Sequence, residues 1–137
     1  MSQFNLFIIN EQVEKPKLFA LAGRFGFPLV DLAAENIKDS DFYSGMENIT
    51  IDGMSCDFIG DIQVEFSAIE ESTFEEVDKF FGEVLELNKE INLLLRFSQE
   101  NNGWNIIPKG RKSIRLNELV REELVNLPFD TLLTIKK

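Results

Sequence analysis

One short apolar stretch constrains the fold of this chain most. Residues 91–97 read Ile-Asn-Leu-Leu-Leu-Arg-Phe, and polar residues precede and follow them. An apolar run of this length is short for a helix and favours a central strand of a sheet. Upstream, residues 61–68 alternate between polar and apolar side chains. This alternation predicts a strand with one face on the core and the other in water.

The other patterned segments alternate between strands and helices. Helices are predicted from Pro16 to about residue 25, from Thr73 to about residue 88, and over residues 117–126. The second helix has a predicted capping box, in which Thr73 and Glu76 satisfy each other's backbone N–H groups. Further strands are predicted at residues 3–9, 49–51, 54–59, 104–107 and 132–135.

Tight turns connect several of these strands. Asp52-Gly53 is typical of a two-residue hairpin, Gly60-Asp61 indicates another turn, and residues 101–103 predict a hairpin between residues 97 and 104. Residues 108–112 are interpreted as a basic loop. The order of elements predicts an α+β fold, with a largely antiparallel sheet of about six or seven short strands and two or three helices packed on it. The length predicts one domain over residues 1–137.

The charge is distributed unevenly along the chain. Residues 31–90 carry 17 acidic and three basic side chains, a net charge of −14, whereas residues 1–30 carry +1 and residues 91–137 carry +3. These segments sum to the net charge of −10 for the whole chain. An acidic surface attracts cationic partners and repels nucleic acid and anionic membranes, so neither is expected as a partner.

The composition excludes several classes of active site. Histidine is absent, which removes serine triads, Cys–His dyads and most zinc sites. Cys56 is the single cysteine, so no disulfide framework is expected and a reducing compartment fits best. Neither a signal peptide nor a membrane span is predicted, and we expect a cytoplasmic protein without enzymatic activity, cofactor or metal.

Three motifs approach a functional pattern without completing it. Residues 108–113 are superficially similar to a phosphate-binding loop, but the lysine does not follow the glycine. Asp39 and Asp41 begin a possible calcium loop, but Thr50 stands where that loop needs glutamate. Carboxylates that could pair for acid–base catalysis are too numerous to single out one pair, so a solvated acidic face is the better interpretation.

The acidic segment itself is the main candidate for function. We hypothesise a non-catalytic protein that covers the cationic site of a basic protein partner. Small, acidic, cysteine-poor bacterial inhibitors of nuclease toxins are similar in size and charge, so an immunity protein is the most concrete hypothesis, although no family motif supports it. The candidate contacts are five carboxylates and two apolar anchors: Asp57, Asp61, Glu65, Glu70, Glu71, Phe58 and Tyr43.

Phenylalanine supports an alternative hypothesis. The chain has 13 phenylalanines but only one tyrosine and one tryptophan. A Phe-rich interior is usually core, but it could also hold a small apolar ligand in a binding or enzyme-like domain. A structural adaptor or subunit is a third possibility, for which phenylalanines exposed at an edge would be the sign.

Overall fold

The computed structural model describes residues 3–32, 50–51, 53–98 and 105–137. Three α-helices lie within these residues: α1 (Lys15–Phe25), α2 (Glu71–Leu87) and α3 (Arg121–Val125). The first five strands are β1 (Gln3–Ile9), β2 (Leu29–Asp31), β3 (Thr50–Ile51), β4 (Met54–Ser55) and β5 (Phe58–Ile62). The other four are β6 (Glu90–Ser98), β7 (Asn105–Ile106), β8 (Gly110–Arg115) and β9 (Thr131–Lys136).

Six of these strands form the main sheet, in the order β2-β5-β1-β6-β9-β8. Neighbouring strands are antiparallel except β8 and β9, which are parallel. The predicted central strand β6 lies between β1 and β9 and is buried from Ile91 to Arg96. A mostly antiparallel sheet with three helices confirms the predicted α+β class.

The main sheet is covered on both faces, because its side chains alternate between two hydrophobic clusters. Phe7 of β1 and Leu93 of β6 pack with α1 and α2 in one cluster. Ile8 of β1 and Leu94 of β6 pack in the other, together with Ile51 and Ile106 of the smaller strands. β4, β3 and β7 form a second sheet in that order. We call the side with α1 and α2 the helical face, and the opposite side the second face.

Helix α2 covers the centre of the helical face with six buried apolar side chains: Phe74, Val77, Phe80, Phe81, Val84 and Leu85. The predicted capping box is wrong, because α2 begins at Glu71 and Thr73 lies within its first turn. The N-cap residue Glu70 makes no side-chain capping hydrogen bond. The position of helix α1 agrees with the prediction. Its C-cap residue is Gly26, whose φ of +72° lies in the left-handed region that favours glycine.

The segment around Gly60 departs from the prediction. Gly60 and Asp61 lie in the middle of β5, where Gly60 pairs with Phe7 of β1, and they form no turn. A Cβ on Gly60 would lie 2.6 Å from Cζ of Phe58, so glycine is needed here because the aromatic ring crosses the backbone. Residues 62–66 alternate in burial as predicted, but Asp61 is buried where the prediction placed it in water, β5 ends at Ile62, and residues 66–68 form a 3-10 helix.

The C-terminal third contains a strand that was not predicted. Residues 108–112 were interpreted as a loop, but β8 begins at Gly110 and pairs with β9 along its length. β7 pairs in parallel with β3 in the smaller sheet, whereas the prediction joined it to β6. The predicted hairpin turn lies outside the described residues.

Helix α3 is shorter than predicted, because a 3-10 helix occupies residues 116–118. Within the described ranges, no helix has the length and apolar character needed to cross a bilayer.

Candidate functional site

The structure separates the predicted carboxylates along the main sheet. Asp57 and Glu65 are exposed and flank β5 at its two ends. The five residues of β5 span about 17 Å at the usual rise of a strand. Glu70 and Glu71 are exposed at the start of α2. Asp57 is therefore remote from the other carboxylates, and these residues do not form one cluster on adjoining strands.

Asp61 belongs to the fold and not to an open surface. It is 8% exposed and pairs with Leu6 of β1 and Val30 of β2, two residues that pack on the second face. Nε2 of Gln63 donates a hydrogen bond to its Oδ2 at 3.0 Å. The structure therefore places this predicted contact in a buried position, with its carboxylate hydrogen-bonded within the protein.

The two residues predicted as apolar anchors are Phe58 and Tyr43, and the structure describes the first of them. Phe58 is 1% exposed and packs edge-to-face with Phe19, with ring centroids 5.8 Å apart. The Nζ atom of Lys15 lies over the Phe58 ring, 5.7 Å from its centroid. Phe58 is therefore a core residue and cannot anchor a partner without unfolding. Tyr43 lies outside the described residues.

The solvent side of α2 places Glu71, a predicted contact, on the same side as four carboxylates that the sequence analysis does not assign to the site. All five are exposed and continue from the start of the helix to its last turn, and we call them the α2 acidic band: Glu71, Glu75, Glu76, Glu83 and Glu86. Residues 71–87 hold six carboxylates, including Asp78, against Lys79 as the one basic residue. The helical spacing that identified the apolar side of α2 could have revealed this opposite side.

Among the described residues, ion pairs within 4 Å involve two carboxylates of the band, and Lys17 and Arg24 of α1 line a cavity together with Glu83 and Glu86. Nζ of Lys79 lies 3.6 Å from Oε1 of Glu76, and Nζ of Lys137 lies 2.6 Å from Oε1 of Glu86. Among the residues that the structure describes, no cation pairs with Glu75 or Glu83. Glu71 is favourable near the positive end of the helix dipole, but Glu83 lies towards the negative end.

Asp78, on the flank of α2, is half-buried. Its burial raises the pKa of its carboxyl group, because desolvation disfavours the charged form.

Cys56 is not positioned for nucleophilic chemistry. Its thiol is half-buried, and Sγ lies 3.7 Å from Oδ1 of Asn10. Burial raises the pKa of the thiol to about 11, so little thiolate is present at neutral pH. The described part of the chain also contains no group of three or more Cys, Asp or Glu side chains arranged to hold a metal ion.

Two cavities lined by described residues lie at the surface of α2, with volumes of about 280 and 440 Å³. Both are lined by Glu86 and Leu87 on the outside of α2, and neither is lined by phenylalanine. The most buried phenylalanines instead pack against other side chains in the core, as Phe80 does with Phe7 and Phe27 at centroid distances of 6.0 and 5.5 Å.

No protein-family model, curated protein or solved structure matches this chain. The functional argument therefore depends on the charge and geometry of the described surfaces.

Proposed function

We propose that this protein is a non-catalytic binding protein whose α2 acidic band covers the cationic site of a basic protein partner. The observation that carries the proposal is the run of exposed carboxylates along the solvent side of a 17-residue helix. From Glu71 to Glu86 the band extends about 22 Å at the rise of an α-helix. A rigid row of this length matches the cleft of a protein that binds an extended polyanion.

A nuclease toxin is the most concrete partner of this kind. Its cleft must hold several phosphates of a nucleic acid, and the carboxylates of α2 would occupy the same cationic positions. The protein would then act as an immunity protein that blocks substrate access. Charge complementarity would accelerate association and make the rate fall steeply as the salt concentration rises.

Unfavourable electrostatic interactions within the α2 acidic band also favour a cationic partner. Glu71 and Glu75 are four residues apart on one helix face, a like-charge spacing that destabilises a helix by about 0.2–0.5 kcal/mol. Glu83 has an unfavourable interaction with the negative end of the helix dipole. A cationic partner would relieve both terms when it binds, so part of its affinity would come from strain in the free protein.

The test begins by capturing the partner. The tagged protein is incubated with lysate of its source cell at about 50 mM salt and washed at a several-fold higher concentration, where exposed charges are screened. Affinity for the captured protein is then measured for the parent chain and for the Glu75→Lys, Glu83→Lys variant. We expect this variant to bind about a hundredfold more weakly, since it replaces two attractions with repulsions.

A variant with the same change in net charge provides the control. Asp57→Lys with Glu65→Lys reverses two exposed carboxylates that flank β5 and lie outside α2. We expect the fold-change in the Kd of this control variant to be less than a tenth of the fold-change in the Kd of the α2 variant. Equal losses would mean that only the net charge matters, and unchanged binding of the α2 variant would remove α2 from the interface.

A further inference from the structure

The second surface that the fold leaves open is the outer edge of β8. β8 is the last strand of the main sheet and, within the described ranges, pairs only with β9. An edge strand presents backbone N–H and C=O groups that a further strand can pair with. β8 offers six residues of such an edge, from Gly110 to Arg115.

The parallel register with β9 determines which side chains of β8 share a face. Arg111 pairs with Leu132, which packs on the second face of the sheet, and Ser113 and Arg115 follow on the same face by alternation. All three are exposed. On the helical face, Ile114 is half-buried against the core and Lys112 pairs with Glu123 of α3.

The charge of the β8 edge is opposite to that of α2. Residues 109–115 contain four basic side chains and no acidic one. Arg115 lies directly across from Lys136 of β9 on the second face, and like charges in this position destabilise a sheet. NH1 of Arg111 donates a hydrogen bond to the carbonyl oxygen of Pro108 at 3.5 Å. An anionic group beside Arg115 would offset the repulsion from Lys136.

We propose that the β8 edge binds an extended acidic segment of a partner protein by strand addition. The register specifies the pattern of that segment. Acidic residues belong beside Arg111 and Arg115, a hydroxyl residue beside Ser113, and an apolar residue beside Ile114. Main-chain hydrogen bonds supply affinity, and the alternating side chains supply specificity, as in other complexes formed at sheet edges.

The charges of β8 and of the whole chain disfavour two other occupants of this edge. A second copy of the chain that paired through the same edge would place the arginines of one β8 beside those of the other. A nucleic acid could contact the basic side chains but could not pair with the backbone of the strand, and the net charge of −10 repels it. An acidic extended peptide satisfies both the side chains and the free backbone groups.

The probe is a short fluorescent peptide with the core Glu-Val-Thr-Val-Glu, which reads the same in either strand direction. Binding is measured by fluorescence polarisation at about 50 mM salt. Two matched peptides separate the contributions: one has lysine in place of each glutamate, and one has methyl groups on alternate backbone nitrogens. We expect each to bind at least about tenfold more weakly, since one loses the charge pairing and the other the backbone hydrogen bonds.

The protein variants test the location of the site. Arg111→Glu with Arg115→Glu should weaken binding of the acidic peptide at least about tenfold. Lys17→Glu with Arg24→Glu makes the same charge change on the exposed side of α1 and should change it less than about twofold. Amide exchange by NMR should show new protection within residues 110–115 when the peptide is added. These peptide and exchange results do not depend on how well the charge variant folds.

Three outcomes would overturn the proposal. Equal binding of the methylated peptide would show that no strand is added, and new protection only outside β8 would place the peptide elsewhere. Tighter binding of a single-stranded oligonucleotide than of the acidic peptide would identify the edge as a nucleic-acid site. The surface differs from the α2 acidic band, so each proposal can fail while the other holds.

Discussion

Gly60 is a position at which the smallest possible side chain is expected to destabilise the fold. A Cβ placed there lies 2.6 and 2.9 Å from two ring carbons of Phe58 and 3.1 Å from Cδ1 of Leu29. Carbon atoms in favourable contact are about 3.5–4.0 Å apart. The Phe58 ring must therefore move, but it is 1% exposed and held by its edge contact with Phe19.

The expected change in the free energy of unfolding of the Gly60→Ala variant is the difference between two opposing effects. Overpacking of a well-packed core costs about 1–3 kcal/mol. Alanine restricts the unfolded chain, which returns about 0.4–1 kcal/mol. We expect a net loss of about 1–2 kcal/mol in the free energy of unfolding, measured by urea denaturation, and a Tm lower by about 3–8 °C.

The same substitution at two helical glycines provides the control. A Cβ on Gly82 of α2 would lie 3.5 Å from Cδ2 of Leu116, an ordinary contact, and one on Gly23 of α1 would meet no atom within 4 Å. Alanine is favoured over glycine in a helix by about 1 kcal/mol, so both variants should be more stable than the parent chain.

A double variant isolates the clash. Phe58→Leu should make the Gly60→Ala substitution less costly, because the ring that opposes the new methyl group is gone. If Gly60→Ala leaves stability unchanged or raises it, the argument that the Phe58 ring requires glycine at this position is wrong.

The remaining predictions concern two buried side chains and one half-buried thiol. Phe80→Ala should lower the free energy of unfolding by about 3–5 kcal/mol in urea titrations, because Phe80 is fully buried among other aromatic rings. Arg96→Met should raise it by about 1 kcal/mol, since NH1 of Arg96 is buried without a hydrogen-bond partner and desolvation lowers the pKa of the guanidinium group. For Cys56, the raised pKa predicts slow alkylation by iodoacetamide at pH 8 and a rate that keeps rising towards pH 11. The unfolded thiol loses its proton first, so stability relative to Cys56→Ala should fall as the pH rises from about 8.5 to about 11.

The elements that the sequence predicts well are those with long-range hydrophobic patterning. β6 follows from a near-continuous apolar run and α2 from an apolar stripe at helical spacing, and the structure places both at the centre of the fold. Local signals were less reliable. Gly60-Asp61 resembles a turn, but glycine is there because the Phe58 ring occupies the space above it, and this fact depends on tertiary packing.

The charged strand β8 shows a second limit of sequence reasoning. Its segment, Gly-Arg-Lys-Ser-Ile-Arg, contains one apolar residue, so neither strand periodicity nor hydrophobicity identifies it. An edge strand tolerates this composition because one side of it faces solvent and charges discourage unwanted pairing. The candidate site had the same difficulty: Asp57, Asp61 and Glu65 are close in sequence, but β5 buries Asp61 and separates the other two.

The two proposed surfaces differ in how they should respond to salt, and this follows from their structure. The α2 acidic band offers exposed side-chain charges on a helix whose backbone is already hydrogen-bonded, so its affinity depends on interactions that salt screens over about 10 Å at 0.1 M. The β8 edge offers arginines and also the backbone of a strand that, within the described residues, pairs on one side only. Raising the salt concentration should therefore weaken binding at α2 by a larger factor than binding at β8, which retains a methylation-sensitive part of its affinity. An equal fall in affinity at the two surfaces, or no methylation-sensitive affinity at β8 in high salt, would contradict the division of roles between charge and backbone pairing.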